Sequence, residues 1–191
     1  MSLRSAHARI ATGVISAIAA GTLALSASPA SAHSGSGDGY VRGYDSYKDD
    51  WDDEGTLGWT PEYFPHSNAA CLWQKILWAE GALYKEGGIY KKFPESEIDG
   101  NFGPNTRHAT VSLQAAWDLD TDGKVGSKTF GRAENQLKVT GGSEDRGKQL
   151  NFTYYGDTHS FSVVRNKEGK YAFRDGDDKW RIAGYNYLSC S

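Results

Sequence analysis

The run Asp118-x-Asp120-x-Asp122-Gly123 sets carboxylates at alternate positions ahead of a glycine, as a calcium-binding loop begins. Val125 suits the eighth position of such a loop, but Thr129 stands at the twelfth, where a bidentate Glu closes the coordination sphere. No metal or other cofactor is therefore expected. Catalytic signatures are equally thin. His33, His66, His108 and His159 form no His-x-x-x-His or His-x-Asp zinc spacing. There is no Gly-x-Ser-x-Gly nucleophile elbow. Glu95, Glu97 and Asp99 cluster, but glycoside hydrolysis needs two carboxyl groups at a set separation across a cleft. The chain is expected to be no enzyme.

What the sequence does carry is a phrase used twice. Asp99-Gly100-Asn101-Phe102-Gly103 precedes Thr106, and Asp122-Gly123-Lys124-Val125-Gly126 precedes Thr129. Asp-Gly makes a tight turn whose glycine tolerates a positive φ. Phe102 or Val125 then drops an apolar side chain inward, and Gly103 or Gly126 bends the backbone into a helix. Thr106 or Thr129, in that helix's first turn, is expected to satisfy an unpaired backbone N–H.

The elements that position these turns follow from periodicity. A helix starts at Ser67 or Asn68, either able to cap it, with Ala70, Leu72, Trp73, Ile76, Leu77 and Leu83 mostly on one stripe. Gly87-Gly88 ends it or its following turn. A second helix runs from Pro104 to about Trp117, with proline in the first turn where its missing N–H costs nothing. A third runs from about Ser127 to Leu137. Beyond the Gly141-Gly142 break, period-two apolar runs around Phe152–Tyr154, Phe161–Val163, Tyr171–Phe173 and Trp180–Ile182 predict an antiparallel meander of about four strands. Four such strands cannot bury both faces alone, so one face should pack on the helices.

Leu72-Trp73-Gln74-Lys75-Ile76-Leu77, the first phrase, Val111-Ser112-Leu113-Gln114 and the second phrase follow one another in an order that resembles the peptidoglycan-binding domain-like family, over about residues 67–137. Leu113-Gln114 stands where that family usually has Phe-Gln, and the connection from Gly81 to Glu97 is longer than its pattern. The resemblance implies a three-helix peptidoglycan-binding-like bundle; with the small antiparallel β-meander read from the pattern that follows it, the chain is expected to be α+β. The resemblance also implies binding of peptidoglycan, through glycan or stem peptide. Candidate contacts gather near the first phrase and along the second helix: Asp99, Asn101, Asn105, Arg107, Gln114 and Trp117. The helix N-terminus at Pro104 would favour a peptide carboxylate. The alternatives are a protein-interaction or inhibitor domain on the same scaffold, and a wall hydrolase with an unrecognised site.

The whole chain frames this reading. Arg4 and Arg9, an Ala-rich apolar run and Ser28-Pro29-Ala30-Ser31-Ala32 predict a signal peptide over residues 1–32, hence a secreted, extracellular or cell-wall-associated protein. The leader holds two of the 21 basic residues and none of the 24 acidic ones, so the mature net charge is 19 − 24 = −5. Such a chain is a poor nucleic-acid binder and lacks a basic cluster for anionic membranes. Residues 33–66 mix acids with Tyr40, Tyr44, Tyr47, Trp51 and Trp59 without period, and are expected to form a solvated arm or linker, the alternative being an arm whose aromatics stack on sugar rings or on its own domain. The helical module would then span 67–140 and the strands 141–191, packed on it. In an exported chain two cysteines pair, so Cys71 and Cys190 should form a disulfide.

Overall fold

The structure, a computed structural model, describes residues 39–190, so the expected signal peptide lies outside the described residues. Among the described residues the fold is α+β, with three α-helices and two antiparallel sheets: α1 (Asn68–Glu80), β1 (Leu83–Glu86), β2 (Ile89–Lys92), α2 (Pro104–Ala116), α3 (Ser127–Glu134) and β3 to β7 (Leu137–Gly142, Leu150–Tyr155, Ser160–Arg165, Tyr171–Arg174, Trp180–Ile182). Ser67 caps α1, its Oγ accepting from the Ala70 N–H at 3.0 Å, and Gly81 ends it at φ 65°.

Strands β3 to β7 form one meander in sequence order, with a bulge between Val139 and Gly141. Its inward face alternates as a half-buried sheet must: Leu150, Phe152, Tyr154, Phe161, Val163, Tyr171 and Phe173 are buried. The second sheet is the hairpin β1–β2, paired Leu83↔Lys92 to Glu86↔Ile89. It occupies the long connection in which the sequence suggested only a helix end or turn. Gly87 and Gly88, both at positive φ, form the two-residue hairpin turn. Strand β3 was likewise not expected, because Leu137 continues the apolar spacing of α3.

The largest departure lies in residues 39–66. They are not a solvated arm: Val41, Trp51 and Leu57 are fully buried. Trp51 packs edge-on to Tyr171 of the sheet at 5.4 Å and to Phe130 of α3 at 6.1 Å. Phe130 meets Trp73 of α1 at 5.7 Å, and Trp73 meets Trp117 at 6.4 Å. A chain of rings therefore joins sheet to helices through a residue of the supposed linker. Acidic residues of the same stretch are buried with partners. Asp50 accepts from Tyr171 Oη at 2.6 Å and pairs with Arg165 at 2.8 Å. Glu54 accepts from the Arg42 N–H at 2.6 Å and from Tyr185 Oη at 2.9 Å. Glu80 of α1 takes the Tyr154 hydroxyl in the same way at 2.6 Å. Three tyrosines of the C-terminal region thus dock on carboxylates from outside the sheet.

Cys71 and Cys190 form a disulfide with their Cα atoms 6.6 Å apart. The chain end is further held by Asn68, whose Oδ1 accepts from the backbone N–H of Ser189 at 2.8 Å and of Cys190 at 3.2 Å.

Candidate functional site

The doubled phrase folds into two matching loops. Phe102 and Val125 are buried, as the phrase requires. Gly100 stands at φ 73° and Gly123 at φ 72°, where only glycine is unstrained. The Asp99 Oδ1 accepts from the Asn101 N–H at 2.8 Å, and the Asp122 Oδ1 from the Lys124 N–H at 2.9 Å. Each carboxylate thereby closes an Asx turn on its own backbone.

Each loop is clamped from behind by a buried glutamine. Gln74 Nε2 donates to Asp99 Oδ1, the Asn101 carbonyl and Thr106 Oγ1 at 2.9, 3.0 and 3.1 Å, while its Oε1 accepts from the N–H groups of Asp99 and Gly100. Gln114 Nε2 donates to Asp122 Oδ1, the Lys124 carbonyl and Thr129 Oγ1 at 3.1, 2.7 and 3.2 Å, while its Oε1 accepts from the Gly123 N–H at 2.9 Å. The threonines therefore act differently from expectation. Neither caps a helix N–H; each hydroxyl receives the glutamine amide. Gly103 and Gly126 have negative φ of −90° and −96°, so the bend into each helix does not demand glycine there.

The candidate contacts separate into surface and interior. Asp99 and Asn101 are exposed on the first loop, where Asn101 Oδ1 lies 2.7 Å from His66 Nδ1 and Asn101 Nδ2 donates to Asp99 Oδ2 at 3.0 Å. Asn105 is half-buried and donates to Glu97 Oε1 at 3.2 Å. Arg107 turns toward the other loop, its stem lying against Gly123. Gln114 is 1 % exposed and fully engaged by the clamp, so it presents no surface. Trp117 is half-buried, with the Arg132 guanidinium 4.9 Å above its ring.

The carboxylates weighed for catalysis or metal binding also have structural partners. Glu95 pairs with Lys75 at 2.9 Å, Glu97 with Asn105, and Asp120 with Lys128 at 3.7 Å. Among the described residues no three His, Cys, Asp or Glu side chains converge as a metal site.

Sequence reasoning missed the segment that joins the two loops. Leu57 exchanges backbone hydrogen bonds with Val125 of the second loop, at 3.0 and 2.9 Å. Eight residues on, the Pro65 carbonyl accepts from the Phe102 N–H at 2.6 Å, and the Gly100 carbonyl accepts from the Ser67 N–H at 3.0 Å. Residues 57–66 thus form a strap tied to both loops, bearing Trp59, Tyr63 and His66. Its Tyr63 hydroxyl accepts from Lys124 Nζ at 3.0 Å. The aromatic content of this stretch was the only signal available; its position depends on pairing across more than thirty residues.

Among the described residues, no helix is long and apolar enough to cross a membrane. Residues 74–132 match the family model described as "Putative peptidoglycan binding domain". The match begins at Gln74 and runs past Thr129, so both clamped loops lie inside it. No curated protein and no solved structure matches the chain.

Proposed function

We propose that this is an exported, non-catalytic protein that binds bacterial peptidoglycan, with α1, α2 and α3 acting as one three-helix module that presents the two clamped loops. The observation that carries the proposal is the coincidence of the family match at 74–132 with both glutamine-held loops. The clamps satisfy the loop backbones from inside. The outer loop groups, Asp99 and Asn101 among them, are thereby held in place for a ligand without ordering cost at the moment of binding. The absence of catalysis is supported by the carboxylates near the loops, whose bonds to Gln74, Lys75, Asn105 and Gln114 hold structure together. Binding would leave the protein associated with the cell wall.

The test is co-sedimentation of the mature protein with washed sacculi, followed by assay of the supernatant. Pelleting without released muropeptides is expected. Release of fragments would point to a hydrolase, and failure to pellet would overturn the peptidoglycan reading. A protein partner is the second reading, favoured by the hairpin β1–β2, which exposes Leu83 and Tyr90 on one face and Ile89 on the other.

A further inference from the structure

We propose that the strap 57–66, which lies outside the segment matched by the family model, is a platform for the uncharged sugar rings of the glycan strand. The inference rests on the peptidoglycan reading and names the part of the polymer recognised.

Trp59 is the most exposed of the six tryptophans, at 55 %. An exposed indole offers a broad, flat apolar face on which another flat apolar face can stack. Here the backbone that carries the indole is fixed. The Gly58 N–H donates to the Tyr63 carbonyl at 2.9 Å, and the Tyr63 N–H to the Thr60 carbonyl at 2.9 Å, closing a tight turn with Trp59 on its crown. Below the crown, Tyr63 lies against Gly58, where an added Cβ would sit 3.1 Å from its side chain. Lys124 of the second loop covers the Tyr63 ring, its Nζ 4.4 Å from the ring centre. At the far end, His66 and Asn101 set a second polar group beside the first loop. An aromatic face at one end of the strap and a paired amide and imidazole at the other suit a run of N-acetylhexosamines, which offer flat C–H faces together with hydroxyl and acetamido groups.

Charge argues against the anionic stem peptide as occupant. Glu62 on the strap and Asp99 and Asp122 on the loops face two nearby cations, Lys124, which already serves Tyr63, and Arg107, whose stem packs against Gly123. A neutral sugar ring meets no repulsion there.

The test uses the mature protein, with neutral N-acetylglucosamine oligomers standing for the glycan strands and the free stem peptide as a separate probe. Wild type should bind the oligomers more tightly than the peptide. Trp59→Ala should weaken glycan binding about tenfold or more, the scale of an aromatic contact residue. Trp59→Tyr should retain most of it, and Tyr90→Ala in the hairpin should change nothing. Because Trp59 is exposed, all three variants should melt with wild type. The proposal is overturned if Trp59→Ala binds glycan as wild type does, or if the stem peptide is the preferred probe. If wild type sediments with whole sacculi in either of those cases, the strap inference alone fails. If it does not sediment at all, the peptidoglycan reading fails with it.

Discussion

Gln74 on α1 and Gln114 on α2 donate the same three bonds to two different loops. Nε2 of Gln74 lies 3.1 Å from Thr106 Oγ1, and Nε2 of Gln114 lies 3.2 Å from Thr129 Oγ1. Each helix therefore supplies the clamp for the turn that launches the next helix. Removing either amide strands several buried donors and acceptors, at roughly 1–3 kcal/mol for each group left unsatisfied. Gln74→Ala and Gln114→Ala should each lower stability by about 2–4 kcal/mol in denaturant titrations, with water recovering part of the loss. Gln149→Ala, on an exposed side chain, should change it by less than about 0.5 kcal/mol.

Trp51 is the ring between sheet and helices, so the N-terminal stretch is part of the core. Trp51→Ala should cost about 3–5 kcal/mol, as other large buried truncations do. A chain begun at Ser67 would lack Val41, Trp51 and Leu57 together. It should lose its near-UV circular dichroism and its cooperative melt. A truncated chain as stable as the full one would show that the stretch contributes nothing to folding.

These two cases mark what the sequence could and could not disclose. The paired turns were legible because Asp-Gly chemistry is local: the positive φ of Gly100 and Gly123 and the burial of Phe102 and Val125 follow from neighbouring residues. The disulfide was legible from the cysteine count and the expected signal peptide. The clamps were not, since a helical glutamine looks like any surface polar residue until its partners are placed, 25 to 32 positions on for Gln74 and 8 to 15 for Gln114. The buried stretch 39–66 was hidden for a related reason. Val41, Trp51 and Leu57 enter the core singly, with no period for a pattern to show. The hairpin did carry a local sign in Gly87-Gly88, but the apolar stripe of α1 appeared to continue through Leu83.

Buried carboxylates give the fold an unusual pH dependence. Burial pushes Glu54 up to about 8, against the opposing bonds from the Arg42 N–H and Tyr185. It does the same to Glu134, also to about 8, against the bond from the Trp51 N–H. Each folded-state value lies above the unfolded one, so the folded chain holds more protons between about pH 4.5 and 8. Their contribution is complete below the unfolded value and is lost as pH rises through 8. The melting temperature should therefore fall between pH 6 and pH 9, and Glu54→Gln should flatten that fall. A melting temperature that rises over this range would contradict the assignment.

The Cys71–Cys190 bridge spans a sequence separation of 119. A loop of that size corresponds to about 4–5 kcal/mol in the chain-entropy account of cross-links. Replacing both cysteines with serine should lower stability by up to that amount and loosen the clasp of the last residues on α1. Faster hydrogen exchange at Ser189 and Cys190→Ser would report the loosening, and unchanged exchange would show that Asn68 alone holds the chain end.

The most direct test is an amide chemical-shift map of the mature protein titrated with soluble murein fragments. The account predicts saturable shifts grouped at Gly100 and Asn101, at Gly123 and Lys124, and along residues 59–66, faces that share one strap. Shifts confined to the hairpin 83–92 or to the five-stranded sheet, or none at saturating ligand, would contradict it.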